Sequence, residues 1–124
     1  MRLDHATWIE VDTYLAENEG IILPVGSTEQ HGPMGLIGTD AICAEAIAGA
    51  AAEKVGAYVA PTLAYTPAPF NSAFPGTISL SERVFAEVFK EVVSGLQAQG
   101  FRRVYVLNAH GANLAPMRRV AEVF

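Results

Sequence analysis

Apolar positions recur along this chain with two different spacings, and their alternation outlines the fold. Between Thr7 and Ala16, the residues Trp8, Ile9, Val11, Tyr14 and Leu15 fall at helical spacing, which predicts a short amphipathic helix. Gly20 ends that pattern. The run Ile21-Ile22-Leu23-Pro24-Val25 follows and reads as a buried strand, with Pro24 predicting a sheet edge or a strand end. From Gly26 to Asp40 no period survives, and Gly26, Gly32, Pro33, Gly35 and Gly38 mark a loop. An Ala-rich helix is expected from Asp40 to about Val55, then a short strand Ala57 to Ala60 ended by Pro61. Leu63 to Thr77 reads as a second long loop, and the spacing of Ser79 and Glu82 predicts a capping box. Behind it Val84, Phe85, Val88, Phe89, Val92, Val93 and Leu96 share one helical face as far as Gly100. Val104 to Leu107 is a third expected strand, Asn108 to Ala112 a tight loop, and Asn113 the start of a last helix.

Strands that alternate with helices of this length imply parallel crossovers and a sheet covered on both faces. The chain has 124 residues, enough for one domain with a real core and too few to expect two. Only 17% of the residues are charged and the net charge is −5. With Lys54 and Lys90 as the only lysines, no basic stripe exists for phosphates, so nucleic-acid binding is not expected. Cys43 is the single cysteine, which excludes an internal disulfide and a thiolate zinc cluster. Its apolar surroundings predict burial. Acidic residues near the N-terminus where a secretory signal would be apolar, and no apolar run of membrane-spanning length, predict a cytoplasmic protein without membrane association.

Parallel open sheets bind ligands beyond the carboxyl ends of their strands. The loop after the first strand carries Ser27, Thr28, Glu29, Gln30, His31 and Asp40, and the loop after the third carries Asn108, His110 and Asn113. Two of the three histidines therefore directly follow strands on one predicted sheet edge. On an extended segment Glu29 and His31 lean over the same edge with Gln30 turned away. Carboxylate with imidazole suits zinc, manganese or iron(II) better than calcium or magnesium. Asp40 and His110 complete a four-residue candidate set, and the two oxygens of Asp40 allow it to bridge two ions. Taken singly, each residue has a plainer role: Asp40 a helix cap, Glu29 a solvated acid, His31 a turn residue, and Asn108 or Asn113 a cap for the last helix. A serine nucleophile, Ser27 or Ser72 with His110, lacks the Gly-x-Ser-x-Gly elbow. His5 has no acidic set arranged around it and is read as structural.

The segments Leu23-Pro24-Val25-Gly26-Ser27-Thr28-Glu29-Gln30-His31-Gly32-Pro33, Gly38-Thr39-Asp40, Phe74-Pro75-Gly76-Thr77-Ile78-Ser79-Leu80 and Asn108-Ala109-His110-Gly111-Ala112-Asn113 resemble the creatininase (creatinine amidohydrolase) family. The resemblance runs from about Trp8 to the chain end. It implies a three-layer α/β/α sandwich with a mainly parallel sheet, an amide hydrolase with a two-metal site, and a homo-oligomer, in the family a hexamer. It implies one ion on Glu29, Asp40 and His110, and another on His31, Asp40 and a further glutamate. Zinc is the expected metal, with manganese in one position. The expected substrate is a small-molecule amide: a non-peptide or cyclic C–N bond as in creatinine, or alternatively a formylamino-pyrimidine or a short peptide end.

Two positions depart from the family pattern. Ala112 stands where one form of the family has the extra glutamate, and Met34 where a histidine is common. Family chains are longer and supply further carboxylate and substrate-facing residues from a C-terminal half, so residues 1–124 are expected to be a single domain incomplete at its C-terminus. A non-catalytic fragment that needs a partner chain is the rival reading. The Pro-rich loop Pro67 to Pro75 is expected to border the pocket, with Phe70 or Phe74 lining it; core packing is the plainer role for both and the favoured one for Phe74.

Overall fold

A computed structural model describes all residues, 1–124. Three parallel strands, β1 (Gly20–Val25), β2 (Tyr58–Val59) and β3 (Arg103–Asn108), form one sheet in the order β2-β1-β3. Four helices flank it: α1 (Trp8–Leu15), α2 (Thr39–Val55), α3 (Glu82–Gln99) and α4 (Leu114–Ala121).

The pleat of β1 divides the core. Ile21, Leu23 and Val25 face one side and pack with Phe85, Phe89 and Val93 of α3, Met117 and Val120 of α4, and Tyr14 and Leu15 of α1. Ile22 faces the other side and packs with Ala48 and Ala52 of α2 and with Val59. Ala44, Ala48 and Ala52 recur every fourth residue and are fully buried, so α2 lies close against the sheet through methyl groups alone. The three layers expected from the resemblance are therefore present. No helix is long and apolar enough to cross a membrane.

Pro24 sits in the central strand, not at an edge, and the alternative expectation of a strand end is the one that holds. Its carbonyl accepts from Leu63 N–H at 3.0 Å on the side of β2. The N–H that proline lacks would point the same way, where β2 has already ended at Val59, so no ladder bond is lost. The caps also differ from expectation. Glu82 does not close a box with Ser79: Ser81 is the N-cap of α3, accepting from Val84 N–H, while the Ser79 hydroxyl receives the N–H of Ala68. The reciprocal box belongs to α1, between Thr7 and Glu10. Cys43 is exposed, since one residue before Ala44 lies about 100° round the helix from the buried alanine stripe. Phe74, expected in the core, is half exposed on the second loop.

β1 is followed by α2 on one face, whereas β3 is followed by α4 on the other, and the two strands are neighbours. That arrangement is a topological switch point. The loops leaving β1 and β3 diverge and open a crevice beyond the strand ends.

Candidate metal centre

Each polar side chain in the crevice is placed by a local feature of the backbone. Glu29 lies just past β1, and its N–H bonds to the carbonyl of Ile37 at 3.1 Å. Asp40 is in the first turn of α2, where Gly38 and not Asp40 is the N-cap, so its carboxylate is free of capping duty. Gly26 brings that turn close. A Cβ on Gly26 would lie 2.4 Å from Cα of Ala41, so only glycine lets α2 start this near the end of β1. His110 follows β3, and Asn108 clamps it, donating to its carbonyl at 2.8 Å and accepting from its N–H at 3.3 Å. Asn113 stands at the N-cap of α4, but neither its side chain nor that of Asn108 makes a capping hydrogen bond there. The buried Asn113 amide donates instead to the carbonyl of Gly26 and to Oδ1 of Asn108, tying the end of β1 to the end of β3.

All four predicted residues, Glu29, His31, Asp40 and His110, meet here. Nδ1 of His110 lies 3.0 Å from Oε1 of Glu29 and 3.0 Å from Oδ2 of Asp40. Nε2 of His31 lies 3.1 Å from the other Asp40 oxygen, Oδ1. One ligand atom each from Glu29, His31 and Asp40 can be chosen so that all lie within 4.8 Å of one another. Glu29 and His110 are buried, and Asp40 and His31 partly so.

The opposite ring nitrogens settle which atoms face inward. Nε2 of His110 is 2.7 Å from the carbonyl of Pro67, and Nδ1 of His31 is 3.1 Å from the carbonyl of Glu29. A carbonyl only accepts, so those nitrogens carry the protons. When the rings are neutral, the remaining nitrogens turn lone pairs toward carboxylate oxygens, which are also acceptors. Such a convergence is unfavourable unless each ring takes up a second proton or a cation sits among the atoms. It suits a divalent transition metal, and backbone carbonyls fixing the far side of each imidazole are the usual support for histidine ligands.

Electrostatics follow from the same contacts. The imidazole of His31 is held above its usual range, chiefly by the hydrogen bond to the Glu29 carbonyl and further by the Asp40 carboxylate. Burial acts to raise the Asp40 carboxyl, but the Ser27 hydroxyl, Glu29 and the two imidazoles outweigh it and hold the group below its ordinary value.

Ser27 and Asn71 support these four, a role that residue type alone does not announce. The fully buried Ser27 hydroxyl lies between the two acids, 3.2 Å from Oε1 of Glu29 and 2.9 Å from Oδ2 of Asp40. Its hydrogen bonds go to the carboxylates and not to an imidazole, and Ser72 donates to the carbonyl of Pro69, so neither is arranged as a nucleophile. Asn71 donates to Oε2 of Glu29 at 2.8 Å. The exposed Phe70 ring stacks on His110 with centroids 6.4 Å apart, consistent with its expected place at the pocket. Gln30 makes no hydrogen bond to either acid; its amide bonds Gly32 N–H and Asn71. His5 takes no part.

Comparison with known proteins gives the same direction. The family model of creatininase, described as creatinine amidohydrolase, matches residues 4–124. A 3-dehydro-scyllo-inosose hydrolase of Thermotoga maritima is 34% identical over 106 residues, covering 85% of this chain and 34% of that protein. A mycofactocin precursor peptide peptidase of Mycolicibacterium smegmatis is 37% identical over 100 residues, covering 76% and 40%. The creatinine amidohydrolase of Pseudomonas putida is 31% identical over 113 residues, covering 86% and 44%. The crystal structure of a creatininase superposes with a TM-score of 0.91 at 27% identity, over 98% of this chain and 49% of the other. Similar structures include a manganese creatininase, a mutant of zinc–zinc type and a mutant complexed with creatine. The chain thus spans less than half the length of these relatives. It belongs to the creatininase family of hydrolases.

Proposed function

We propose that this chain carries the metal-binding part of an amidohydrolase that breaks a non-peptide or cyclic amide C–N bond, in the manner of creatinine amidohydrolase. The observation that carries the reading is the division of Asp40. Its Oδ2 faces Nδ1 of His110 and its Oδ1 faces Nε2 of His31, so one carboxylate serves two imidazoles. Glu29, Asp40 and His110 would hold one zinc ion, and His31 with Asp40 a second, which manganese can replace. The manganese and zinc–zinc forms of similar creatininases support that choice.

A divalent ion held by these residues would supply an activated water near neutral pH and polarise the scissile carbonyl. The chain's own side chains do the positioning. Ser27 restrains both carboxylates, Pro67 and Glu29 fix the imidazole tautomers through their carbonyls, and Phe70 gives the mouth of the crevice an aromatic wall beside His110. Relatives named for creatinine and for a precursor peptide support a hydrolase of amide bonds, with a formylamino-pyrimidine or a short peptide as alternative substrates. An exposed free thiol at Cys43 fits a reducing compartment and so supports a cytoplasmic protein, while a homo-oligomer is what the family resemblance implies.

Metal analysis with hydrolysis assays on creatinine, formylamides and short peptides tests this. Purified protein should hold about one or two equivalents of zinc or manganese, and His110→Ala should release metal. Full retention by that variant would overturn the assignment. Metal binding without turnover of any amide, joined to a large or aggregated native mass, would favour the reading of a subunit that needs a partner chain.

A further inference from the structure

The second loop reaches the metal-centre residues through a chain of three hydrogen bonds whose direction is dictated at one end by the backbone. Gly32 N–H donates to Oε1 of Gln30 at 2.8 Å. A backbone N–H can only donate, so that Gln30 atom is the oxygen, and Nε2 is left to donate onward. It does so to Oδ1 of Asn71 at 2.6 Å. The Asn71 amide is thereby oriented with Nδ2 toward Glu29, and donates to Oε2 at 2.8 Å. Reversing either amide would set oxygen against oxygen or N–H against N–H.

We infer that Asn71 is a positioning residue that engages one oxygen of Glu29 and so presents the other, Oε1, singly to the metal, with Gln30 setting the polarity of the relay. This rests on the metal-centre reading above. The division of labour is visible in the contacts: Oε2 meets Asn71, whereas Oε1 is the atom close to His110 Nδ1 and the Ser27 hydroxyl. Asn71 closes the short 3-10 turn Pro69–Asn71, next to Phe70 and shortly after Pro67, whose carbonyl holds the far nitrogen of His110. A single loop segment therefore orients a carboxylate from the β1 loop and an imidazole from the β3 loop.

Three variants of the 124-residue chain separate this role from general packing. Asn71→Asp keeps the shape and still accepts from Gln30, but turns an oxygen toward Oε2. Gln30→Glu keeps the bond to Gly32 but can no longer donate to Asn71, so the Asn71 amide must rotate and face Glu29 with its oxygen. Asn71→Ala frees Oε2. Zinc affinity is read by competition with a chromophoric chelator, and coordination by the visible spectrum of the cobalt(II) protein. Asn71→Asp and Gln30→Glu should each weaken zinc by about 10-fold or more, the range for residues that orient a ligand. Asn71→Ala should dim and shift the cobalt bands as Glu29 becomes bidentate and coordination number rises. Thermal melting of each metal-free variant checks folding independently. Wild-type chain that takes up no metal would overturn the metal centre and this inference together. Wild-type binding with unchanged affinity and cobalt spectrum in all three variants would overturn the inference alone. A weakened Asn71→Asp beside an unchanged Gln30→Glu would overturn the relay.

Discussion

Asp40 concentrates the demands of the crevice in one side chain. Its two oxygens serve different imidazoles, and the Ser27 hydroxyl donates to one of them. Asp40→Asn preserves the shape but replaces one acceptor by a donor that meets a ring nitrogen or the Ser27 hydroxyl. The expected result is loss of bound metal by more than the ~10–100-fold typical of supporting residues, measured by chelator competition. Equal affinity in the variant would refute the bridging role. At this scale much of the site was legible in the sequence. Glu29, His31, Asp40 and His110 are titratable residues placed after strands, so their types announce chemistry. Ser27, Asn71 and the Pro67 carbonyl were not legible as supports, because hydroxyls, amides and carbonyls occur everywhere and acquire a role only from their neighbours.

Helix ends and close approaches decide how the elements carry those residues. Gly26 is the clearest case, since a Cβ there would sit 2.4 Å from the backbone of Ala41. Gly26→Ala must push the first turn of α2, and Asp40 with it, away from β1. The expected cost is about 1–3 kcal/mol of stability in denaturant unfolding, accompanied by weaker metal binding. A variant with native stability and native affinity would show that the contact relaxes freely. The box on α1 makes a second prediction. Thr7→Ala should destabilise by about 1 kcal/mol. The Glu10 carboxyl is held below its ordinary value, first by the Thr7 N–H and then by its hydroxyl. A depressed carboxyl stabilises the fold at pH above its unfolded value, and that contribution is lost as pH falls through the lower folded one. Melting curves across that acid range should lose this component of their slope in Glu10→Gln, and an identical slope would count against it. Periodicity located the helices well, because a buried face leaves a pattern. It misplaced Cys43 and the capping box, because composition near an alanine stripe does not say which side of the helix is dry, and Ser79 is claimed by the loop at Ala68.

In the whole molecule, the candidate centre exists only after the chain has folded. The segment from Glu29 to Asp40 and the turn at His110 belong to loops leaving adjacent strands, and their helices depart on opposite faces of the sheet. This crevice was legible as topology: alternating strands and helices imply a parallel sheet, and a parallel sheet places both loops at one edge. The order β2-β1-β3 was not legible, because strand neighbours depend on packing partners distant in sequence. The geometry links metal binding to folding. An unfolded chain does not hold Glu29, Asp40 and His110 together, so an ion bound to the folded state stabilises it by mass action. Free zinc at about 100 times its dissociation constant adds about 2.7 kcal/mol. For a domain of this size that corresponds to a rise in melting temperature of about 10 °C. The rise should grow with the logarithm of free zinc and vanish in His110→Ala, while Arg119→Ala, which removes an exposed pair with Glu82 that has no bond to the four side chains, should keep it whole. A zinc-dependent rise that persists undiminished in His110→Ala would place the ion elsewhere on the protein. An absent rise in the wild-type chain would mean that the four side chains are held together by protons alone.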